Sequence, residues 1–319
     1  VRQLGLNLVG VFDVSNASLK LAQDEYTLPD HLLFSDLDKL YSEAKPECLI
    51  VATTADSHCA LTCMAAERDA RYVLVEKPMA VSLEECDRMI EACHRHGTKL
   101  AVNHQMRFME QYTEPKRLFA TEAYGGLKSL TVVAGNFGFS MNGSHYFEAF
   151  RFLTNDDTVE VTAWFSPEVV PNPRGAQFQD RAGSIRAVTS SGKRLYMEIG
   201  ADQGHGSLTI YACRNGMITV NERTGEMLSS EREEQYRAFP TTRTGLPSVN
   251  TLRRIQPCEV IGTSATVIRA LLCDVNSVSG EDGRRVVELL VAAYQSAEQG
   301  SVPVRLDGEL DRSRVYPWA

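Results

Sequence analysis

The stretch VLVEKPMA, residues 73–80, is an apolar run that ends on an acid, a base and a proline. Charged side chains are costly to keep from water unless they are paired or used. Glu76 and Lys77 at the end of a buried strand therefore mark either a site or the start of a solvated loop, and the neighbouring sequence decides between them. Comparable apolar runs occur at LNLVGVFDV (6–14), ECLIVAT (47–53), RYVLVEK (71–77) and KLAVNH (99–104), with a weaker one at LLF (32–34). Continuous rather than alternating apolarity is the pattern of parallel strands covered by helices on both faces.

Helical patterns lie between these runs. Over 82–96, Leu83, Cys86, Met89, Ile90 and Cys93 recur at helical spacing behind a Ser82 to Glu85 capping box, and Gly97 is placed to end the helix. ADSHCALTCMAAERD (55–69) follows the strand that ends at Thr53, with Asp56 as its expected N-cap. From about residue 118 the pattern changes to alternating runs separated by turn signals at Ser191-Gly192, Asn215-Gly216 and Thr224-Gly225. A helix is predicted over 144–154 and two more near 258–274 and 281–298, while VVPNPRG (169–175) reads as a surface loop. The expected fold class is α/β: a Rossmann-type parallel-sheet domain over 1–117, then an α/β domain over 118–319 with a large, open, mostly antiparallel sheet for substrate binding and oligomerisation.

Composition narrows the function classes. The 319 residues are 43% hydrophobic and 23% charged, with no uncharged apolar stretch of a membrane-spanning length. A net charge of -8 argues against a nucleic-acid surface, which needs a basic face. Eight cysteines, mostly on predicted apolar faces, read as buried free thiols in a reducing, cytoplasmic setting. Cys59 and Cys63 share a helix face, but no further ligands follow at metal-site spacing, so no metal is expected. The chain opens on VRQLG with neither a signal peptide nor a methionine, and the start is expected to be cut.

In a doubly wound sheet, ligands sit beyond the carboxyl ends of the strands, which brings forward Asp13, Thr53, Thr54, Glu76, Lys77, Asn103 and Gln105. An acid at Asp13 can hold both ribose hydroxyls of an adenosine and would repel a 2'-phosphate, favouring NAD over NADP. The same residue can instead open the turn DVSNAS as a helix cap. A glycine-rich phosphate loop is expected about 20 residues before that acid, upstream of Val1. Gly5 and Gly10 do not replace it, since no strand precedes them and no helix opens after them. Either the first strand and loop are missing from this sequence or the pyrophosphate is held poorly.

The run VATTADSHCALTCMAAERDARYVLVEKPMAVSLEECDRMIEACHRHGTKLAVNHQMRF (51–108), with its A-T-x-x-x-x-H segment from Ala52 to His58, its E-K-P strand end and its V-N-H-Q-M-R-F segment, resembles the core of the Gfo/Idh/MocA family of NAD(P)-dependent oxidoreductases. GSHYFEAFRFL (143–153) and AAYQSAEQGSVPVRL (292–306) are similar to two further family segments. The resemblance implies a Rossmann domain followed by the open-sheet domain, whose free face often joins subunits into a homodimer or homotetramer. It places Lys77 where nicotinamide and substrate meet, and a lysine beside a cationic ring has the lowered pKa that proton transfer with a hydroxyl requires. His145 falls on the facing wall as its catalytic partner. Ala52, Thr53, Thr54, His58, Glu76 and Gln105 fall on the cofactor side, with His58 on the helix surface or the cofactor edge. Asn103, Gln105, Arg107 and Asn142 fall on the substrate side, although Arg107 can equally tie the two domains together. Trp164 lines the nicotinamide pocket or, as the preferred reading, belongs to the core.

One position departs from the family pattern. Most dehydrogenating members carry an aspartate four residues before the histidine, and here that residue is Met141. The implied function is hydride transfer between a nicotinamide cofactor and a sugar, polyol or related hydroxy or keto compound. The alternatives are an NAD-dependent glycosidase of the same family and a non-enzymatic dinucleotide or sugar sensor.

Overall fold

The computed structural model describes residues 1–135 and 137–319. The first elements alternate as expected: β1 (Val11–Phe12), α1 (Asn16–Tyr26), β2 (Leu33–Phe34), α2 (Leu37–Ala44), β3 (Cys48–Val51), α3 (Ala55–Glu67), β4 (Tyr72–Val75), α4 (Leu83–His96) and β5 (Lys99–Val102). Strands β3, β4 and β5 form one parallel sheet, and β1 pairs with β2 in a second parallel sheet of two strands. The run 6–14 yields only two strand residues. A strand exists only where a partner completes its ladder, and β1 finds one over Leu33 and Phe34 alone, leaving Leu6 and Val9 exposed.

Helix α4 follows its sequence signals. Ser82 accepts from the Glu85 amide, and Gly97 closes the helix in the left-handed conformation at φ 70°. The Glu85 carboxylate reaches back to the amide of Val81, 3.4 Å away, one residue before the expected partner. In α3 the cap is Thr54 rather than Asp56, because Thr54 is the last extended residue at ψ 152°. Asp56 lies in the first turn, where its charge still complements the helix dipole.

The second half contributes α5 (Glu110–Phe119), β6 (Leu127–Gly135), a π-helical turn (Phe139–Gly143), α6 (Ser144–Thr154), β7 (Thr158–Val170), β8 (Asp180–Thr189), β9 (Arg194–Gly200), β10 (Leu208–Cys213), β11 (Gly216–Asn221), β12 (Glu226–Arg232), β13 (Ser248–Arg254), α7 (Val260–Cys273), α8 (Gly280–Glu298) and β14 (Val304–Arg305). Nine strands form one sheet in the order β13-β12-β11-β10-β6-β9-β8-β7-β14, antiparallel throughout except for β6 beside β9. The three turn signals fall in its hairpins. Val169 and Val170 extend β7, so the proline-rich loop begins only at Pro171.

Register fixes the two faces of this sheet. Thr162, Arg186, Tyr196, Thr131, Ile210, Thr219, Leu228 and Leu252 are successive cross-strand partners and so share one face. Trp164, two residues from Thr162, lies on the same face and is 54% exposed. The core assignment for Trp164 is thereby corrected: strand alternation buries its neighbour Ala163 instead. Tyr196, Met217, Leu228 and Leu252 join it as exposed apolar groups.

The last two helices return to the first sheet. Val267, Ile268 and Leu271 of α7 pack with Leu74 and Ala101, and the Val102 amide donates to the Val278 carbonyl at 2.9 Å. The C-terminal residues Tyr316 and Trp318 stack with ring centroids 4.7 Å apart against Tyr294 of α8. All eight cysteines are free, but Cys258 and Cys273 are exposed, not buried as their apolar surroundings in sequence suggested. Among the described residues no helix is long and apolar enough to cross a membrane and no cluster of metal-ligating side chains forms.

Candidate active site

Lys77 stands one residue past the Glu76 amide that extends the β4 ladder to Val51, and its peptide bond to Pro78 is cis. The side chain is buried, and its ammonium donates to the backbone carbonyl of Met141 in the π-helical turn. Burial lowers the pKa of this amine, helped by Arg174 and opposed by Glu76 and Asp180. The E-K-P segment is held from behind by His58, whose Nδ1 lies 3.1 Å from the Pro78 carbonyl and 3.3 Å from that of Met79, with Nε2 3.2 Å from the Thr53 carbonyl. His58 is therefore a buried clamp and not a helix-surface residue, because α3 turns that face onto the loop.

The π-helical turn is itself anchored. Both oxygens of the buried Asp180 carboxylate accept backbone amides: Ser140 at 2.9 Å and Arg181 at 2.8 Å on Oδ1, and Met141 at 2.7 Å on Oδ2. Gly138 makes room for it, since a Cβ there would lie 2.1 Å from the Asp180 Cγ. Asn142, half-buried, follows Met141 in the same turn.

His145 sits in the first turn of α6, buried, with its Nδ1 lacking any partner. Its ring meets that of His104 edge to face, at 5.3 Å between centroids and an interplanar angle of 89°. His104, just past β5, is fully buried, and neither of its ring nitrogens has a partner. Burial, then the charges of Lys77, Arg107 and Arg151, push its pKa down to about 3. His145 is held well below its ordinary value by burial, Lys77 and His104. Both rings are thus neutral at physiological pH, each offering one donor and one acceptor.

Beside Lys77, the Asn103 amide donates to Glu76 at 2.6 Å and lies 3.4 Å from Ser264 Oγ of α7. The Asn103 Oδ1 and Gln105 Oε1 are buried without partners. Arg107 points elsewhere. It pairs with the buried Glu148, which also accepts from Arg151 Nε at 3.0 Å, and it donates to the Asn276 carbonyl at 3.3 Å. Its guanidinium therefore ties α6 to the segment before α8. Asp13 lies on the separate β1–β2 sheet, where one carboxylate oxygen accepts the Ser15 amide at 2.8 Å in a local turn that leads to the Ser15 cap. Ala52 and Thr53 are exposed and Thr54 half-buried at the end of β3. Lys77, Glu76, Asn103 and His145 converge, with Asn142 next in sequence to the Met141 that Lys77 bonds, while Asp13 stands apart from them and Arg107 is engaged in its own ion pair.

Residues 2–104 match the profile of an oxidoreductase family with an NAD-binding Rossmann fold, GFO_IDH_MocA. Over these residues the chain is similar to the Gfo/Idh/MocA family. Among curated relatives, a 2,7-anhydro-N-acetylneuraminate hydratase from Mediterraneibacter gnavus is 34% identical over 36% of this chain and 29% of its own length. An inositol 2-dehydrogenase from Saccharopolyspora erythraea is 29% identical over 54% of this chain and 53% of its own. The matched stretches thus span about half or less of these relatives. Over the whole fold, an Agrobacterium radiobacter oxidoreductase solved with NAD+, L-tartaric acid and magnesium superposes with a TM-score of 0.75 at 19% identity, covering 94% of this chain and 91% of that one.

Two residues of the site were not singled out by sequence. His104 stands inside the V-N-H-Q-M-R-F segment, and its spacing carries no signal because the ring it meets, His145, lies far along the chain in α6. Asp180 follows a loop and reads as an ordinary strand start. Only the depth of its burial and its three amide donors set it apart.

Proposed function

We propose that this protein is an NAD-dependent oxidoreductase that moves a hydride between the nicotinamide and a sugar, polyol or related hydroxy compound. The observation that carries the reading is the buried Lys77 amine, with its pKa lowered by burial, beside the neutral His145 and His104 rings. The residues at the nicotinamide end fit such a coenzyme: Asn103 Oδ1 and Gln105 Oε1 are buried acceptors that need donors, which a carboxamide or a substrate hydroxyl supplies. At the adenosine end Asp13 would hold the ribose, with NAD preferred over NADP. When bound, NAD supplies the hydride acceptor or donor.

The chain's own residues handle the proton. An amine whose pKa is lowered by burial gives up its proton more readily, and so accepts the hydroxyl proton of an alcohol as its carbon is oxidised and returns it in the reverse direction. His145, as a neutral imidazole, bonds the same hydroxyl and orients it. Glu76, fixed by Asn103, faces the nicotinamide side, and Asn142 reaches the substrate from the π-helical turn. The exposed apolar row through Trp164, Tyr196 and Leu252 is the face for a homodimer or homotetramer, since contiguous exposed apolar patches mark interaction sites.

The test is incubation with NAD and a panel of sugars and polyols, following NADH absorbance, for wild type and Lys77→Met. Substrate-dependent NADH formation that Lys77→Met loses supports the reading. Equal turnover in both proteins would sink it. A second reading, a reaction with no net redox change, is favoured by Met141 at the relay position and by the relative named for a hydration. It is distinguished by substrate consumption that requires NAD yet leaves no NADH.

A further inference from the structure

We propose that Asp180 is the positioning residue for Lys77, acting through the backbone of Met141. This rests on the reading of Lys77 as the proton-transfer group. Three observations carry it. The ammonium of Lys77 has one hydrogen-bond acceptor among the described residues, the Met141 carbonyl. The amide of that same Met141 is held at 2.7 Å by Asp180 Oδ2, so one residue links the cation to the carboxylate through its own peptide groups. The carboxylate is fully buried, accepts three amides, and is admitted only because position 138 is glycine.

The arrangement supplies what Lys77 lacks. A buried ammonium with a single neutral acceptor is poorly compensated. A carboxylate one peptide away offers opposite charge without closing an ion pair that would quench the amine. It also fixes where the Met141 carbonyl points, and so where the amine rests between proton transfers. The other charged and titratable groups that face Lys77 are Glu76 at the end of β4, Arg174 in the loop before β8, and the rings of His104 and His145. Glu76 contributes the larger opposite charge but makes no bond to the π-helical turn, so the acid that places the lysine through that turn is Asp180.

The experiment follows the Lys77 Nζ resonance in protein labelled with 15N-lysine, assigned by Lys77→Arg, together with the 13C carbonyl of Met141. In wild type the Met141 carbonyl shift is expected to titrate with the same midpoint as Lys77. In Asp180→Asn, the Lys77 midpoint is expected to fall by about 1 pH unit, the scale of one charge several ångströms away at an effective dielectric near 20, and the Met141 carbonyl to stop following it. Asp180→Ser, which keeps an oxygen acceptor without charge, serves if the asparagine variant does not fold. A Lys77 midpoint unchanged in either folded variant overturns the proposal. If neither variant folds, the wild-type result decides alone: a Met141 carbonyl indifferent to Lys77 ionisation overturns it. These readouts need no substrate. Turnover that survives Lys77→Met therefore defeats the catalytic reading, and is told apart from a Lys77 midpoint indifferent to Asp180, which defeats this one.

Discussion

The rings of His104 and His145 meet edge to face 5.3 Å apart, with three of their nitrogens buried and unpartnered. Both pKa values are lowered, so the folded protein binds these protons less readily than the unfolded chain does. The stability this represents is complete above the unfolded imidazole value, about 6.5, and is lost as pH falls from there toward about 3 for His104. Between pH 7 and pH 5, His104→Phe is expected to lose about 1–2 kcal/mol less stability than wild type, the amount one titrating group contributes over that interval. Urea denaturation at the two pH values measures it. Equal losses in both proteins would show that His104 is protonated in the native state.

Arg107 distinguishes a structural tie from a substrate contact. Its partner Glu148 is 1% exposed, and removing one member of a buried pair strands the other charge. Arg151 also bonds Glu148 and remains, so the cost of Arg107→Ala is expected near the low end of the usual ~3–5 kcal/mol. Chemical denaturation reads this directly. A variant as stable as wild type but with weakened substrate binding would return Arg107 to the cleft.

Much of this architecture was legible because its signals are local. The strands β3, β4 and β5 are buried on both faces and spell themselves as apolar runs, and α4 carries its cap and its stop. The E-K-P strand end was legible for the same reason, whereas His145 was brought forward only by the family resemblance. What escaped depends on contacts between distant segments: α7 returning across more than 160 residues to cover Leu74 and Ala101, Asp180 reaching Met141, and His104 meeting His145. Trp164 was misplaced by parity alone. In a strand one residue of register exchanges core for solvent, and nothing within VTAWFSP states which face is inward.

Glu222 is a buried carboxylate that accepts from Tyr112 Oη at 2.5 Å and Tyr146 Oη at 2.9 Å. Tyr112→Phe removes one donor to a charged group and is expected to cost about 1.5–3 kcal/mol near pH 7. Burial raises the Glu222 pKa, so the folded state binds this proton more tightly than the unfolded chain. The resulting stabilisation appears as pH falls through the folded value and is complete below about 4.5. A protonated carboxyl needs fewer donors, so the deficit of Tyr112→Phe is expected to narrow between pH 7 and pH 5. A deficit unchanged on acidification would show that Glu222 stays ionised.

Gly283, in the first turns of α8, opposes two effects of known size. Alanine is favoured over glycine inside a helix by about 1 kcal/mol. Here, however, a Cβ would fall 2.3 Å from Val102 Cγ2 and 3.2 Å from Met79 Sδ, and overpacking a filled core costs about 1–3 kcal/mol. Val102 is β-branched, at the end of β5, and fully buried, so its methyl cannot swing clear. The clash is expected to win, and Gly283→Ala to lower the denaturation midpoint. The cause is separable by repeating the substitution in a Val102→Ala background, where the offending methyl is gone. There Gly283→Ala is expected to be neutral or stabilising, as helix propensity alone requires. An equal loss in both backgrounds would mean that α8 does not lie this close to β5.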